Sequence, residues 1–222
     1  MTDQKKKEVL GRVTLMGVRL SFADIWKPKT LKRDDGSESD PKFSANFLIP
    51  KDGDLMGVYK GKKMPIMKAI KAAKIDAIAK KLGPDKAEEL KIRANNYACK
   101  DGDEENYDGY AGQYYVSANN TKKPVVKGRD KRNLAEQDGI VYSGCYVNAI
   151  VTLWYQPAGT KGGNAVPHAV YGSLEAVQFV RDGESFGAPG VDDDDFEDLT
   201  DDDDEIGDDD TPSDDDDDGD ML

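Results

Sequence analysis

Apolar and polar residues alternate with a period of two at both ends of the first 190 residues, and with a helical period between them. Residues 12–22 alternate well enough for a strand, and residues 43–49 make a second one, stopped by Pro50. Between them, residues 24–41 are polar and charged and contain Pro28 and Gly36, which predicts a long loop. Asp52-Gly53 marks another turn. The period changes over residues 65–82. Ile66, Ile70, Ala73 and Ala77 line one helical stripe, and Ile75, Ile78 and Leu82 lie on a neighbouring one, so the apolar face is wide. Gly83-Pro84 ends this helix, and Pro84 begins a short second one through Leu90.

Alternation returns at residues 114–118 and is strongest over 141–155. There Cys145, Val147, Ala149, Val151 and Leu153 share one set of positions and would line a core. Tyr142, Tyr146, Asn148, Ile150, Thr152 and Trp154 share the other, a half-exposed face with three rings. Residues 157–163 read as a loop, and 169–180 as a last long strand closed by Asp182-Gly183. The pattern predicts a mainly β domain with a helical insert, an oligonucleotide-binding (OB) type of barrel with five strands. A mixed α/β sandwich is the alternative, because strand order is not written in the sequence.

Charge divides the chain sharply. Residues 191–222 carry 20 acidic side chains and no basic one, whereas residues 1–190 carry 31 basic and 24 acidic, a net +7. We therefore expect a folded domain over 1–190 and a disordered acidic tail over 191–222, kept open by repulsion and by having almost nothing to bury. A coil of that length spans roughly 30 Å, more when repulsion stretches it. No stretch approaches the roughly 20 apolar residues of a membrane span, and the charged residues 1–9 lack the apolar segment of a signal peptide. Cys99 and Cys145 give no disulfide framework, so a cytoplasmic protein with reduced thiols is expected.

Little in the sequence supports catalysis. Asp101, Asp103, Glu104, Glu105 and Asp108 begin like a calcium loop, but its sixth position is Asn106 and its twelfth is Gly112. A solvated acidic loop is the plainer reading. Gly159 to Gly163 misses phosphate-loop spacing, and the single histidine, His168, is read as structural. No metal and no cofactor is expected.

Binding has more to stand on. Single strands are held by cations that follow the backbone and rings that stack on bases. Lys27, Lys29, Lys32 and Arg33 lie in the first long loop beside Trp26, and Lys122, Lys123, Lys127, Arg129, Lys131 and Arg132 are opposed only by Asp130. Phe43, Phe47, Tyr114, Tyr146 and Trp154 are the ring candidates; Phe47 reads first as core and second as a stacking platform. The lysines at 68, 71, 74, 80 and 81 form no single strip and read first as solvation. No zinc finger, basic zipper or helix-turn-helix is present to favour duplex DNA.

The segments Gly17-Val18-Arg19-Leu20-Ser21-Phe22-Ala23 with Trp26 and Pro28, GIVYSGCYVNA at 139–149 and YGSLEAVQFVRDGESFG at 171–187 resemble a tailed-phage single-stranded-DNA-binding family, formerly a domain of unknown function. That resemblance covers most of residues 10–190. It implies an OB barrel that coats exposed template strands during phage replication or recombination, in the host-cell cytoplasm. It also implies an acidic tail that mimics a nucleic-acid backbone and docks replication or recombination proteins. Comparable tails end in an aromatic residue, whereas this one ends Asp220-Met221-Leu222, so Phe196 and Leu199 stand beside Met221 and Leu222 as apolar anchors. Open barrel edges would allow a homodimer. Two rivals remain at this point: an acidic chaperone or DNA mimic that engages basic partners, and a metal-dependent nuclease using carboxylates such as Asp101 and Asp103.

Overall fold

The computed structural model describes residues 9–30, 32, 36, 38–161 and 163–186. In chain order its elements are β1 (Arg12–Lys29), β2 (Lys42–Pro50), β3 (Met56–Tyr59), β4 (Lys62–Pro65), α1 (Ile66–Leu82), α2 (Pro84–Glu89), β5 (Cys99–Asp101), β6 (Gln113–Asn120), β7 (Val125–Lys127), β8 (Tyr146–Gln156), β9 (Gly159–Lys161), β10 (Asn164–Val166) and β11 (Ala169–Arg181).

The 18 residues of β1 are too many to lie flat against one neighbour. Register slips between Leu15 and Val18 toward β8, and between Ser21 and Asp24 toward β2, mark bulges. Gly17 (φ 66°) and Phe22 (φ 47°) take left-handed backbone at these points. Bulges bend and twist a strand, so the first half of β1 pairs with β8 and β3 and the second half with β2. The ring then closes through antiparallel β2–β6, a parallel contact of β6 with β11, antiparallel β11–β8 and β8–β1. This is the five-stranded closed order of an OB barrel, and the barrel with a helical insert is the expected architecture.

The alternation expected for β8 holds throughout. Cys145, Val147, Ala149, Val151 and Leu153 are buried, while Tyr146, Asn148, Ile150 and Thr152 are half-exposed and Trp154 is exposed. Helix α1 lays Ile66, Ala69, Ile70, Ala73, Ala77 and Ile78 into the same core. Its small alanines allow close approach: a Cβ on Gly57 of β3 would sit 3.0 Å from that of Ala69.

Three segments differ from the sequence reading. The loop expected over 24–41 is shorter, because β1 continues to Lys29 and pairs with Lys42; the buried Ile25 anchors this stretch. The strand expected from 141 starts at Tyr146. Residues 141–145 form a turn, with Gly144 at φ 119° donating its N–H to Leu20 O at 2.7 Å. A Cβ on Gly144 would lie 2.1 Å from Glu184 O, so only glycine fits. Residues 157–163 are not plain loop but hold β9, which pairs with β10. His168 braces the base of that hairpin, where its Nδ1 meets the Tyr155 hydroxyl and accepts the Ala158 N–H at 3.1 Å. Burial pushes the Cys99 thiol up to about 12 and raises that of Cys145 as well, so both remain protonated. No helix among the described residues is long and apolar enough to cross a membrane. The acidic tail over 191–222, with Phe196, Leu199, Met221 and Leu222, lies outside the described residues.

Candidate nucleic-acid interface

Toward one end of the β2–β6 pair the outward residues are polar. Ser44 faces Asn119 and Asn46 faces Ser117 across the pair, and they form the floor of a groove of roughly 510 Å³. Phe22, from the β1 bulge, and Tyr107, from the 102–112 loop, stand along it with ring centroids 4.9 Å apart. They are 48% and 51% exposed, so their ring surface is available to a ligand. Lys29, Lys42 and Lys100 supply positive charge, against Asp24 and Glu105. Asp24 holds Lys29 at 2.5 Å, and Glu105 accepts a hydrogen bond from the Tyr115 hydroxyl at 2.5 Å.

The rings rest on a buried support. Tyr107 packs on Tyr110 at 5.3 Å, and Tyr110 packs on Tyr115 at 5.1 Å. Tyr110 is fully buried, donates toward Ser21 Oγ at 3.3 Å and accepts from Asn46 Nδ2 at 2.8 Å. Burial raises the Tyr110 and Tyr115 phenols above their ordinary range, and Glu105 raises Tyr115 further, so both stay neutral.

Lys51 ties down the loop that carries Tyr107. Its ammonium donates to Asp101 and, at 2.6 Å, to Asp103; Asp103 Oδ1 accepts the Gly112 N–H at 2.6 Å. The acidic run that resembled a calcium loop is thus served by a lysine, and among the described residues no group of three or more His, Cys, Asp or Glu side chains could hold a metal ion. Hydrogen bonds from Lys51 hold the Asp101 and Asp103 carboxyls below the usual range. Depressed carboxyl values stabilise the closed loop above the unfolded value of about 4, and that contribution is lost as pH falls through the lower folded values. The Gly112 amide should therefore stay protected from hydrogen exchange at neutral pH and lose protection below about pH 4. Lys51→Met should expose it at every pH, and equal protection in the variant would refute the tether.

The structure distributes the sequence candidates unevenly. Lys29 lines the groove. Trp26 lies half-buried against the core, its Nε1 donating to Val141 O at 3.4 Å, with Lys123 5.6 Å from its ring. Lys27 beside it pairs with Glu136 at 3.0 Å. Lys122, exposed, lies just past Thr121 after the end of β6. Lys127 donates to Asn133 at 2.7 Å, Arg132 pairs with Asp130 at 3.5 Å, and Arg129 and Lys131 are exposed on the turn after β7. The basic segment is less purely solvent-facing than its composition suggests, since Val126 is buried in the core. Lys32 bridges Glu38 through the backbone, and Arg33 lies outside the described residues.

Three ring candidates point the wrong way. Phe47 is sealed in the core, Phe43 is 8% exposed on the same inward side, and Tyr114 shares the parity of buried Val116. A sealed ring cannot stack on a ligand, so Phe47 is core, and the ring β6 presents to the groove is Tyr115. Tyr146 is half-exposed under the Arg181 guanidinium, 3.4 Å from its centroid. Trp154 is exposed but on the β8–β11 face, paired across strands with Tyr171 at 4.9 Å. Sequence reasoning missed Phe22, Tyr107, Tyr115, Lys42 and Lys100.

Known proteins resemble the chain over most of its length. The family model described as Enterobacter phage Enc34, ssDNA-binding protein matches residues 11–206. Protein p50 of Acyrthosiphon pisum secondary endosymbiont phage 1 is 35% identical over 194 residues, covering 85% of this chain and 94% of that one. Among solved structures, the single-stranded DNA-binding protein from bacteriophage Enc34 in complex with ssDNA superposes with a TM-score of 0.58 at 24% identity, covering 80% of this chain and 90% of that one. Another structure of the Enc34 protein gives 0.57 at 24% identity, covering 83% and 89%. The solved structures support the fold, and the match over residues 11–206 places the chain in the family of the Enterobacter phage Enc34 ssDNA-binding protein.

Proposed function

We propose that this protein binds single-stranded DNA in the β2–β6 groove and coats exposed strands during phage DNA replication or recombination, with no chemical step. The observation that carries this reading is one groove holding two exposed rings, Phe22 and Tyr107, together with Lys29, Lys42 and Lys100 over a polar floor. Rings stack on any base and lysines follow any backbone, so such a groove suits sequence-independent binding. The relatives' own description as ssDNA-binding supports it.

Residues 191–222 form the second part of the proposal. With 20 acidic side chains they act as an internal competitor for the positive charges DNA would use, and they recruit replication or recombination proteins once DNA has displaced them. Phe196, Leu199, Met221 and Leu222 are the anchors they offer a partner. Against the nuclease reading, Asp101 and Asp103 already share the Lys51 ammonium.

Salt dependence tests the groove. Replacing Lys42 and Lys100 by glutamine should lower the slope of log affinity against log salt by about 1.4, roughly 0.7 per single-strand phosphate contact. Titrations of a fluorescent oligothymidylate, with and without magnesium, should show that change and intact DNA. An unchanged slope, or magnesium-dependent cleavage, would overturn the reading.

A further inference from the structure

The positive charge of the first 190 residues is concentrated in one place. Residues 60–93 hold 11 basic and 4 acidic side chains, whereas the remainder of 1–190 holds 20 of each. The whole +7 therefore resides in the insert between β2 and β6: the end of the β3–β4 hairpin, α1, α2 and the chain just beyond. Among the described residues, Lys60 is the one cation of the eleven in an ion pair, with Asp76 at 2.5 Å. The groove cation Lys29, by contrast, is paired, as are Lys27 and Arg132.

Four of these cations, Lys60, Lys62, Lys71 and Lys74, gather around one helical residue. Ile75 of α1 lines two shallow grooves. One is shared with Lys60, Lys62 and Met64 of the hairpin region, and the other with Lys71, Lys74 and Leu90. The hairpin, α1 and the end of α2 thus meet around a single helical residue. Lys68, Lys71, Lys80 and Lys81 of α1 are exposed or nearly so, and burial together with repulsion from Lys71 holds Lys74 below the ordinary lysine range. The β2–β6 groove begins a few residues of chain away. Lys74 lies 5.1 Å from the Tyr97 ring, and three residues further along the chain Lys100 of β5 lines the groove. No exposed ring belongs to residues 60–93; the exposed rings among the described residues are Phe22, Tyr107, Trp154 and Tyr171.

We infer that this face is a second, purely ionic binding surface, which takes the phosphate backbone of a single strand extending beyond the β2–β6 groove. The inference rests on the proposed groove reading. A surface rich in exposed lysines and without exposed rings gains little from bases and much from phosphates, whose contacts release counterions. Short strands fill the groove alone, and longer ones reach the insert.

The test uses the full chain and a triple variant, Lys62→Gln with Lys68→Gln and Lys71→Gln, all on exposed positions outside the groove. Affinities are measured across a salt series for oligothymidylates of about 6 and about 30 nucleotides, the first within and the second beyond the roughly 4–16 nucleotides of one OB-fold site. For the long strand, the slope of log affinity against log salt should fall by about 2, at roughly 0.7 per lost contact. For the short strand it should not change. Equal long-strand slopes in variant and parent would overturn the inference while leaving the groove reading intact. Failure of the parent to bind the short strand would instead remove the groove reading. A third arm titrates poly-aspartate: loss of its binding in the variant with an unchanged long-strand slope would assign the face to an acidic protein and also overturn the inference.

Discussion

Replacing Phe22 and Tyr107 together by alanine should weaken single-stranded DNA binding by at least about thirtyfold. Each base–ring stack contributes on the order of 1–3 kcal/mol. The two rings touch each other at 4.9 Å, so their losses overlap, and about 2–4 kcal/mol for the pair is the reasonable sum. At 1.4 kcal/mol per factor of ten, even the lower end is about thirtyfold. Both rings are about half exposed, so the fold should survive their removal; Tyr110 below them stays anchored by Ser21 and Asn46. The variant should also behave differently from the lysine variants. Rings carry no charge, so affinity falls at every salt concentration while the salt slope stays at the parent value. Fluorescence titration of the double variant against the parent, at low and moderate salt, measures both quantities. An affinity within about twofold of the parent would show that the strand does not lie along these rings.

The reasons these rings escaped the sequence reading are physical. Period-two alternation reveals which face of a strand is apolar, and it served β8 residue by residue, because every second position from Cys145 to Leu153 is aliphatic or small. On β2 alternation groups two rings without saying which side faces the core, although Phe47 reads first as core and is core. Phe43 and Phe47 do share a face, but it is the face they share with Ala45 and Ile49, the core. The signal for the outward face was the polar partner set, Ser44 and Asn46, later matched by Ser117 and Asn119 on β6. One shift of parity on β6 likewise exchanges Tyr114 for Tyr115. Phe22 sits on a bulge with left-handed backbone, where alternation breaks down and no periodic rule can assign a side.

Tyr107 lies in an acidic stretch whose composition suggests solvent. It is positioned by Lys51, about fifty residues away in sequence, through Asp101 and Asp103. Such long-range tethers leave no local trace. β3, β4, β5 and β7 have three or four residues each, too few for alternation to register. Helix α1 was legible because its stripe of Ile66, Ile70, Ala73 and Ala77 continues for three turns and Gly83-Pro84 ends it. The meaning of its lysines was not legible, since solvation and ligand binding use the same residues.

Deleting residues 191–222 should tighten single-stranded DNA binding, on the order of tenfold at low salt, and the gain should fade as salt rises. A tethered competitor acts at an effective concentration in the millimolar range, and this one carries 20 negative charges against a domain whose net charge is +7. Both DNA and tail would bind through counterion release, so both weaken with salt. The tail also loses its longer-range attraction as the screening length falls from about 30 Å at 0.01 M to about 3 Å at 1 M. Tailless protein should therefore show a larger advantage at low ionic strength and a steeper salt slope than the full chain. A synthetic peptide of residues 191–222 added to the tailless protein should restore weaker binding only at concentrations comparable with the tethered value, about millimolar. Comparing the full and tailless chains in one titration series separates competition from other roles. If their affinities coincide at low salt, the acidic segment does not compete with DNA, and its place in the proposal narrows to recruiting partners. If the advantage persists undiminished at high salt, the tail opposes DNA by something other than charge, and its apolar residues Phe196 and Leu199 become the positions to change next.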